Sequence, residues 1–89
     1  MDAKEFEGSL KRAGFQDIET KKVAADTSTQ PHSHPFSVRA LVLAGDVTLT
    51  SDGQSRTFRA GEVFEMTAGC VHSERHGPDG STYLVGRKT

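Results

Sequence analysis

Gly61-Glu62-Val63-Phe64-Glu65-Met66-Thr67-Ala68-Gly69-Cys70-Val71-His72 is the stretch on which the reading of the fold turns. Gly61 opens a turn into a short apolar strand, Val63 to Met66. Gly69 ends that strand and returns the chain, delivering His72 into a following strand, Val71 to His76. A histidine carried in this way asks for partners elsewhere.

Upstream lies Pro31-His32-Ser33-His34-Pro35. In an extended chain successive side chains point to opposite faces, so His32 and His34 project the same way. The flanking prolines stiffen the backbone and bias it towards extended geometry. Two imidazoles on one face are half of a metal site; the plain alternative is a polar loop that happens to hold two histidines. With His72 facing them across a barrel, the three make a tripod.

The remaining chain reads mostly as strand. Residues 2 to 13 are the exception: Phe6, Leu10 and Ala13 fall at helical spacing, with Asp2 suited to the start and Gly14 to the stop. This helix lays Phe6 and Leu10 against the domain or serves a dimer contact. Ile18, Val23 and Ala24 mark a short edge strand, and Asp26 to Gln30 a loop. Val38 to Ala44 is apolar on both faces, Gly45-Asp46 bends the chain, and Val47 to Thr50 alternates. Asp52-Gly53 signals a hairpin into Arg56 to Arg59, with Phe58 pointing in. Gly77-Pro78-Asp79-Gly80 reads as a turn before Thr82 to Val85. About eight short strands with little helix predict a small antiparallel barrel or double-sheet sandwich.

Composition narrows the function. Eighty-nine residues make one domain with a small core, which dimerisation or a metal would supplement. The net charge of −1, without a long run of either sign, argues against nucleic-acid binding. The longest apolar run, Ala40 to Ala44, is too short for a bilayer, and Met1 to Glu5 has no signal core. A cytoplasmic protein with no membrane partner is expected. Cys70 is the only cysteine, so no intrachain disulfide forms.

The two histidine stretches resemble the motifs of small single-domain cupins. That family's second motif is glycine, five residues, Pro-x-Gly, two residues, histidine; here it runs Gly61, five residues, Thr67-Ala68-Gly69, two residues, His72. The first motif contributes His-x-His and a later glycine, matched by His32-Ser33-His34 and Gly45. The likeness extends from about Pro31 to Leu84. It implies an all-β jelly-roll barrel, a double-stranded β-helix, over 15–89, with a short amino-terminal helix over 1–14. It also implies a divalent metal (iron, manganese, nickel or zinc) on His32, His34 and His72. Homodimers through outer strands are implied too, with the helix or Thr20 to Ala25 as the swapped or augmenting element.

Three positions depart from the pattern. Thr67 replaces a proline at a turn, and His76 stands where asparagine is frequent. Arg39 occupies the place of the fourth ligand, a glutamate. If Leu41 and Leu43 face the core, alternation turns Arg39 inward as well. A guanidinium cannot ligate a cation. One reading keeps the metal on three histidines, with Glu74, two residues after His72, as replacement carboxylate. In a second, Glu74 pairs with a buried Arg39. In a third, Arg39 holds the anionic group of a small ligand in a metal-free pocket. The plainest lets Arg39 snorkel to the barrel mouth.

His76 is inward by parity and a candidate for proton transfer, against the plain reading of an exposed histidine before a turn. Phe36 and Tyr83 are candidate ligand contacts, although Phe36, Phe58, Phe64, Met66 and Tyr83 also suit the barrel core. Glu62 and Glu65 read as a solvated face, and Cys70 as a bystander in the turn, with a rim thiol or soft ligand as its alternatives. Two functions follow. One is a metal-dependent dioxygenase or isomerase of a small organic molecule, with Glu74 and His76 as proton-transfer groups. The other is a metal-free small-molecule binding or sensing module with Arg39 as its anion contact.

Overall fold

The computed structural model describes residues 1–89 as a helix, α1 (Ala3–Arg12), and five strands: β1 (Gln16–Val23), β2 (Ser37–Ser51), β3 (Gln54–Arg59), β4 (Val63–Met66) and β5 (Ser73–Lys88). The strands are ordered β1-β5-β2-β3, with β4 also on β2, and all pairings are antiparallel. One half of β2 pairs with β4, from Val38 opposite Met66 to Leu41 opposite Val63. The other half pairs with β3, from Asp46 opposite Arg59 to Ser51 opposite Gln54. Between the halves β2 bends, and β5 bends with it, which rolls the sheet into a jelly-roll barrel, the double-stranded β-helix.

The bend explains a difference from the expected strand count. Val38–Ala44 and Val47–Thr50 are one strand, and so are most of 71–76 and 82–85. Gly77-Pro78-Asp79-Gly80 does not reverse the chain. Gly45 is opposite Ser81 and Val47 opposite His76, so four residues bulge out against the single residue Asp46. Turn-like composition here serves a corner, because β1 and the segment after it hold the bulge in place: the Asp26 N–H donates to the Gly77 carbonyl at 3.1 Å. At the crossing, a Cβ on Gly45 (φ +71°) would lie 1.9 Å from the Gly80 carbonyl oxygen. Asp52 (φ 53°) and Gly53 (φ 75°) form the hairpin as expected, both in the left-handed region that a type I′ turn requires.

Two apolar layers lie on opposite faces of the sheet. Inside the barrel are Val38, Ala40, Val42, Val47, Phe58, Phe64, Tyr83 and Val85. Outside, α1 lays Phe6 and Leu10 on Phe15, Leu41 and Leu84. Asp2 caps the helix, its side chain accepting from the Glu5 N–H at 2.8 Å. This outer layer corrects the parity expected for β2. Leu41 is buried, but beneath the helix, and Leu43 is exposed. Arg39 therefore points outward with them, while Val38, Ala40 and Val42 point in. No helix is long and apolar enough to cross a membrane.

Candidate metal centre

The loop carrying His32 and His34 is tied to the strand entry carrying His72 by a two-way backbone pair. His32 N–H donates to the His72 carbonyl at 2.8 Å and His72 N–H to the His32 carbonyl at 2.9 Å. The Gly69 N–H donates to the His34 carbonyl at 2.8 Å, so the glycine turn docks on the His-x-His stretch. The three imidazoles converge as a result. Ring centroids are 4.9 Å apart for His32 and His34, 4.5 Å for His32 and His72, and 5.2 Å for His34 and His72.

Their nitrogens are set up as donors to a cation. His32 Nδ1 lies 2.8 Å from the Gln30 carbonyl and His72 Nδ1 3.0 Å from the Cys70 carbonyl. A carbonyl only accepts, so each Nδ1 carries the proton and each Nε2 presents a lone pair. His72 is 2% exposed, and its Nε2 is buried without a hydrogen-bond partner. An orphaned buried acceptor costs about 1–3 kcal/mol, which a bound cation would remove. One ligand atom from each histidine lies within 4.8 Å of the other two. Donors about 2.1 Å from one ion are about 3–3.4 Å apart, so side-chain shifts of about an ångström close the site. Burial, then the neighbouring His32 and His72, lowers the His34 pKa and favours its neutral, ligating form.

Glu74 lies beside two of the three imidazoles. Its Oε2 is 3.6 Å from His72 Nε2 and 3.7 Å from His32 Nε2, and its side chain is 15% exposed. His76 is buried, so the expectation of an exposed histidine before a turn is corrected: the bulge carries the chain past it instead of ending the strand there. Its Nε2 is 3.4 Å from Glu74 Oε1 and its Nδ1 2.6 Å from Ser81 Oγ.

A cavity of about 290 Å³ opens beside these groups. Phe36, Phe64, Met66, Tyr83 and Val85 give it apolar walls, and Lys21 and Arg87 are its basic members. Phe36 stacks on His34 at 4.9 Å with 13° between the ring planes. Burial, with the Glu74 carboxylate next in weight, pushes the Tyr83 hydroxyl up to about 12, so it is a neutral donor at pH 7.

His32, His34, Phe36, Glu74, His76 and Tyr83 thus share one cavity, and Arg39 lies outside it. Arg39 forms a charge pair with Glu65, its cross-strand neighbour, and lies over the Phe15 ring at 4.6 Å. It pairs with neither Glu74 nor the histidines. The Cys70 thiol is 3.4 Å from Ser51 Oγ and is not among the converging ligand atoms. Sequence reasoning overlooked Ser81 and Arg87. Their one signal is alternation from Tyr83, which places residues 81, 85 and 87 on its face.

Residues 20–84 match the family model of the cupin domain, and the chain belongs to that family. No curated protein matches the chain. Among solved structures, a Rhizobium leguminosarum protein of unknown function is similar at 21% identity and TM-score 0.75, over 90% of this chain and 88% of that one. The Schizosaccharomyces pombe Cnp3 cupin domain aligns at 14% identity and TM-score 0.73, over 81% of this chain and 54% of that one. A cupin-2 domain protein from Shewanella frigidimarina aligns at 20% identity and TM-score 0.66, over 78% and 69%. At these identities the likeness is one of fold.

Proposed function

We propose that this cupin binds a divalent metal ion through His32, His34 and His72 and uses it on a small organic molecule held in the adjoining cavity. One observation carries the reading: the buried, unpartnered Nε2 of His72 faces two more imidazoles whose nitrogens are free to ligate. Iron, manganese, nickel and zinc all accept imidazole ligands. A bound ion supplies Lewis acidity or oxygen activation, which suits a dioxygenase or an isomerase. Phe36, Phe64 and Val85 exclude water from the substrate, Tyr83 offers a hydroxyl donor, and Glu74 and His76 are the titratable groups that line the cavity beside the histidines. The metal-free reading loses its anion contact, because Arg39 is on the other face of the sheet.

Elemental analysis of the purified protein tests this. About one equivalent of metal per chain is expected, falling sharply in His32→Ala and His72→Ala. Metal far below one equivalent, unchanged by either substitution, would overturn the site. Pairing of two chains belongs to the same proposal, supported by β1, whose outer edge carries no partner strand. A single-chain mass by light scattering would refute the dimer. A cytoplasmic setting fits the unpaired Cys70.

A further inference from the structure

We infer that Glu74 is the fourth protein ligand of the metal ion, and that buried His76 and Ser81 are positioning residues that hold its carboxylate in place. The inference rests on the three-histidine site proposed above and adds a ligand and its support to it.

The distances point to shared coordination. Glu74 Oε2 lies 3.6 Å and 3.7 Å from the Nε2 atoms of His72 and His32. Both separations are too long for hydrogen bonds. With both Nδ1 atoms protonated by their carbonyl contacts, both Nε2 atoms are bare acceptors facing an acceptor oxygen. Three electron-rich atoms held near one another repel unless a cation lies between them. The two carboxylate–imidazole distances, 3.6 Å and 3.7 Å, are within a few tenths of an ångström of the roughly 3–3.4 Å that donors on one ion adopt.

The fourth histidine is wired in the opposite sense. His76 Nδ1 meets a hydroxyl, Ser81 Oγ, at 2.6 Å. With that hydroxyl donating, the ring proton resides on Nε2, which lies 3.4 Å from Glu74 Oε1. His76 therefore turns its N–H side towards Oε1 of Glu74, while His32 and His72 present lone pairs near Oε2. A hydroxyl, an imidazole and a carboxylate in line also resemble the parts of an acyl-transfer triad. Ser81 excludes that use here: it is 5% exposed and does not line the cavity. The visible polar partner of its hydroxyl is His76, and burying two polar side chains is tolerable because each satisfies the other. His76 lies nearly parallel to the Tyr83 ring, with centroids 6.3 Å apart and 11° between the planes.

Cobalt(II) titration with a competing chelator tests this, read by affinity and by the visible spectrum of the bound ion. Glu74→Gln, a near-isosteric change, is expected to weaken binding more than tenfold and alter the spectrum. His76→Phe is expected to weaken it about 10–100-fold, the range for a residue that orients a ligand. His76→Gln, which keeps a donor, restores part of the loss. A purely packing role would lower the melting temperature of His76→Phe while leaving its cobalt affinity and spectrum unchanged, and that result would overturn the positioning role. Wild-type affinity and spectrum in Glu74→Gln, with His72→Ala still unable to bind, would overturn the ligand role alone. No cobalt binding by the wild type would overturn the tripod along with it.

Discussion

Arg39 and Glu65 face each other across the β2–β4 pair, and their side chains meet on the outer surface of the barrel. Arg39 is 31% and Glu65 59% exposed, and Glu65 contacts the guanidinium as a charge partner without hydrogen-bond alignment at Nε. The position that the family spacing gives to a metal ligand is thus turned away from the histidines by the pleat. Arg39→Glu is expected to leave metal affinity within about twofold of wild type, because the new carboxylate would point at Glu65. Lost contact with Phe15 and like charges side by side would lower stability by about 1–2 kcal/mol in urea unfolding. Tighter metal binding by this variant would show that residue 39 reaches the interior.

Metal should stabilise the fold, since the unfolded chain does not bring His32 and His72 together. At a free metal concentration 100 times Kd the gain is about 2.7 kcal/mol. For a domain of this size that raises Tm by about 10–20 °C. Chelator should reverse the shift, and His72→Ala should show almost none. A chelator-insensitive Tm would mean that the orphaned Nε2 of His72 is satisfied in some other way.

Tyr83 is the only tyrosine in a chain without tryptophan, so absorbance near 295 nm reports on it alone. Burial raises its folded pKa to about 12 from the ordinary value of 10.0. The sign follows: the unfolded chain releases this proton first, so the contribution to stability is complete below pH 10 and is lost as pH rises towards 12. Titration of the folded protein should show a midpoint well above that of free tyrosine. Glu74→Gln, which removes the next-largest cause, should move it down. A midpoint near 10 in the folded protein would place the Tyr83 hydroxyl in open solvent.

The barrel and the histidine tripod were legible because local turn residues and ligand spacing specify them directly. Gly61, Gly69 and His72 lie in one short stretch, and Asp52-Gly53 can form only a few hairpins. The parity of β2 was not legible. Val38 to Ala44 is apolar at every position but Arg39, so alternation cannot say which residues face in, and only the docking of Phe6 and Leu10 on Leu41 decides it. The same limit hid the corner at Gly77–Gly80, whose composition is that of a turn and whose course is set by distant partners, Gly45 and Asp26. Ser81 belongs to no motif; its importance comes from a buried imidazole five residues away in sequence.

That corner supplies the last prediction. Gly45 and Gly53 both have positive φ, +71° and +75°, so alanine at either site incurs about 1–2 kcal/mol of left-handed strain. At Gly53 nothing lies within 4 Å of the new methyl group, and the strain is the whole cost. At Gly45 the methyl would overlap the Gly80 carbonyl, a backbone atom that cannot rotate away. Gly45→Ala should therefore cost more than about 3 kcal/mol, against about 1–2 for Gly53→Ala, in urea unfolding. The difference should extend to the metal centre. Moving Gly80 moves Ser81, and with it the His76 contact that orients Glu74. Gly45→Ala protein that still folds should bind cobalt more weakly than Gly53→Ala, and equal affinities would show that the corner and the metal centre are mechanically independent.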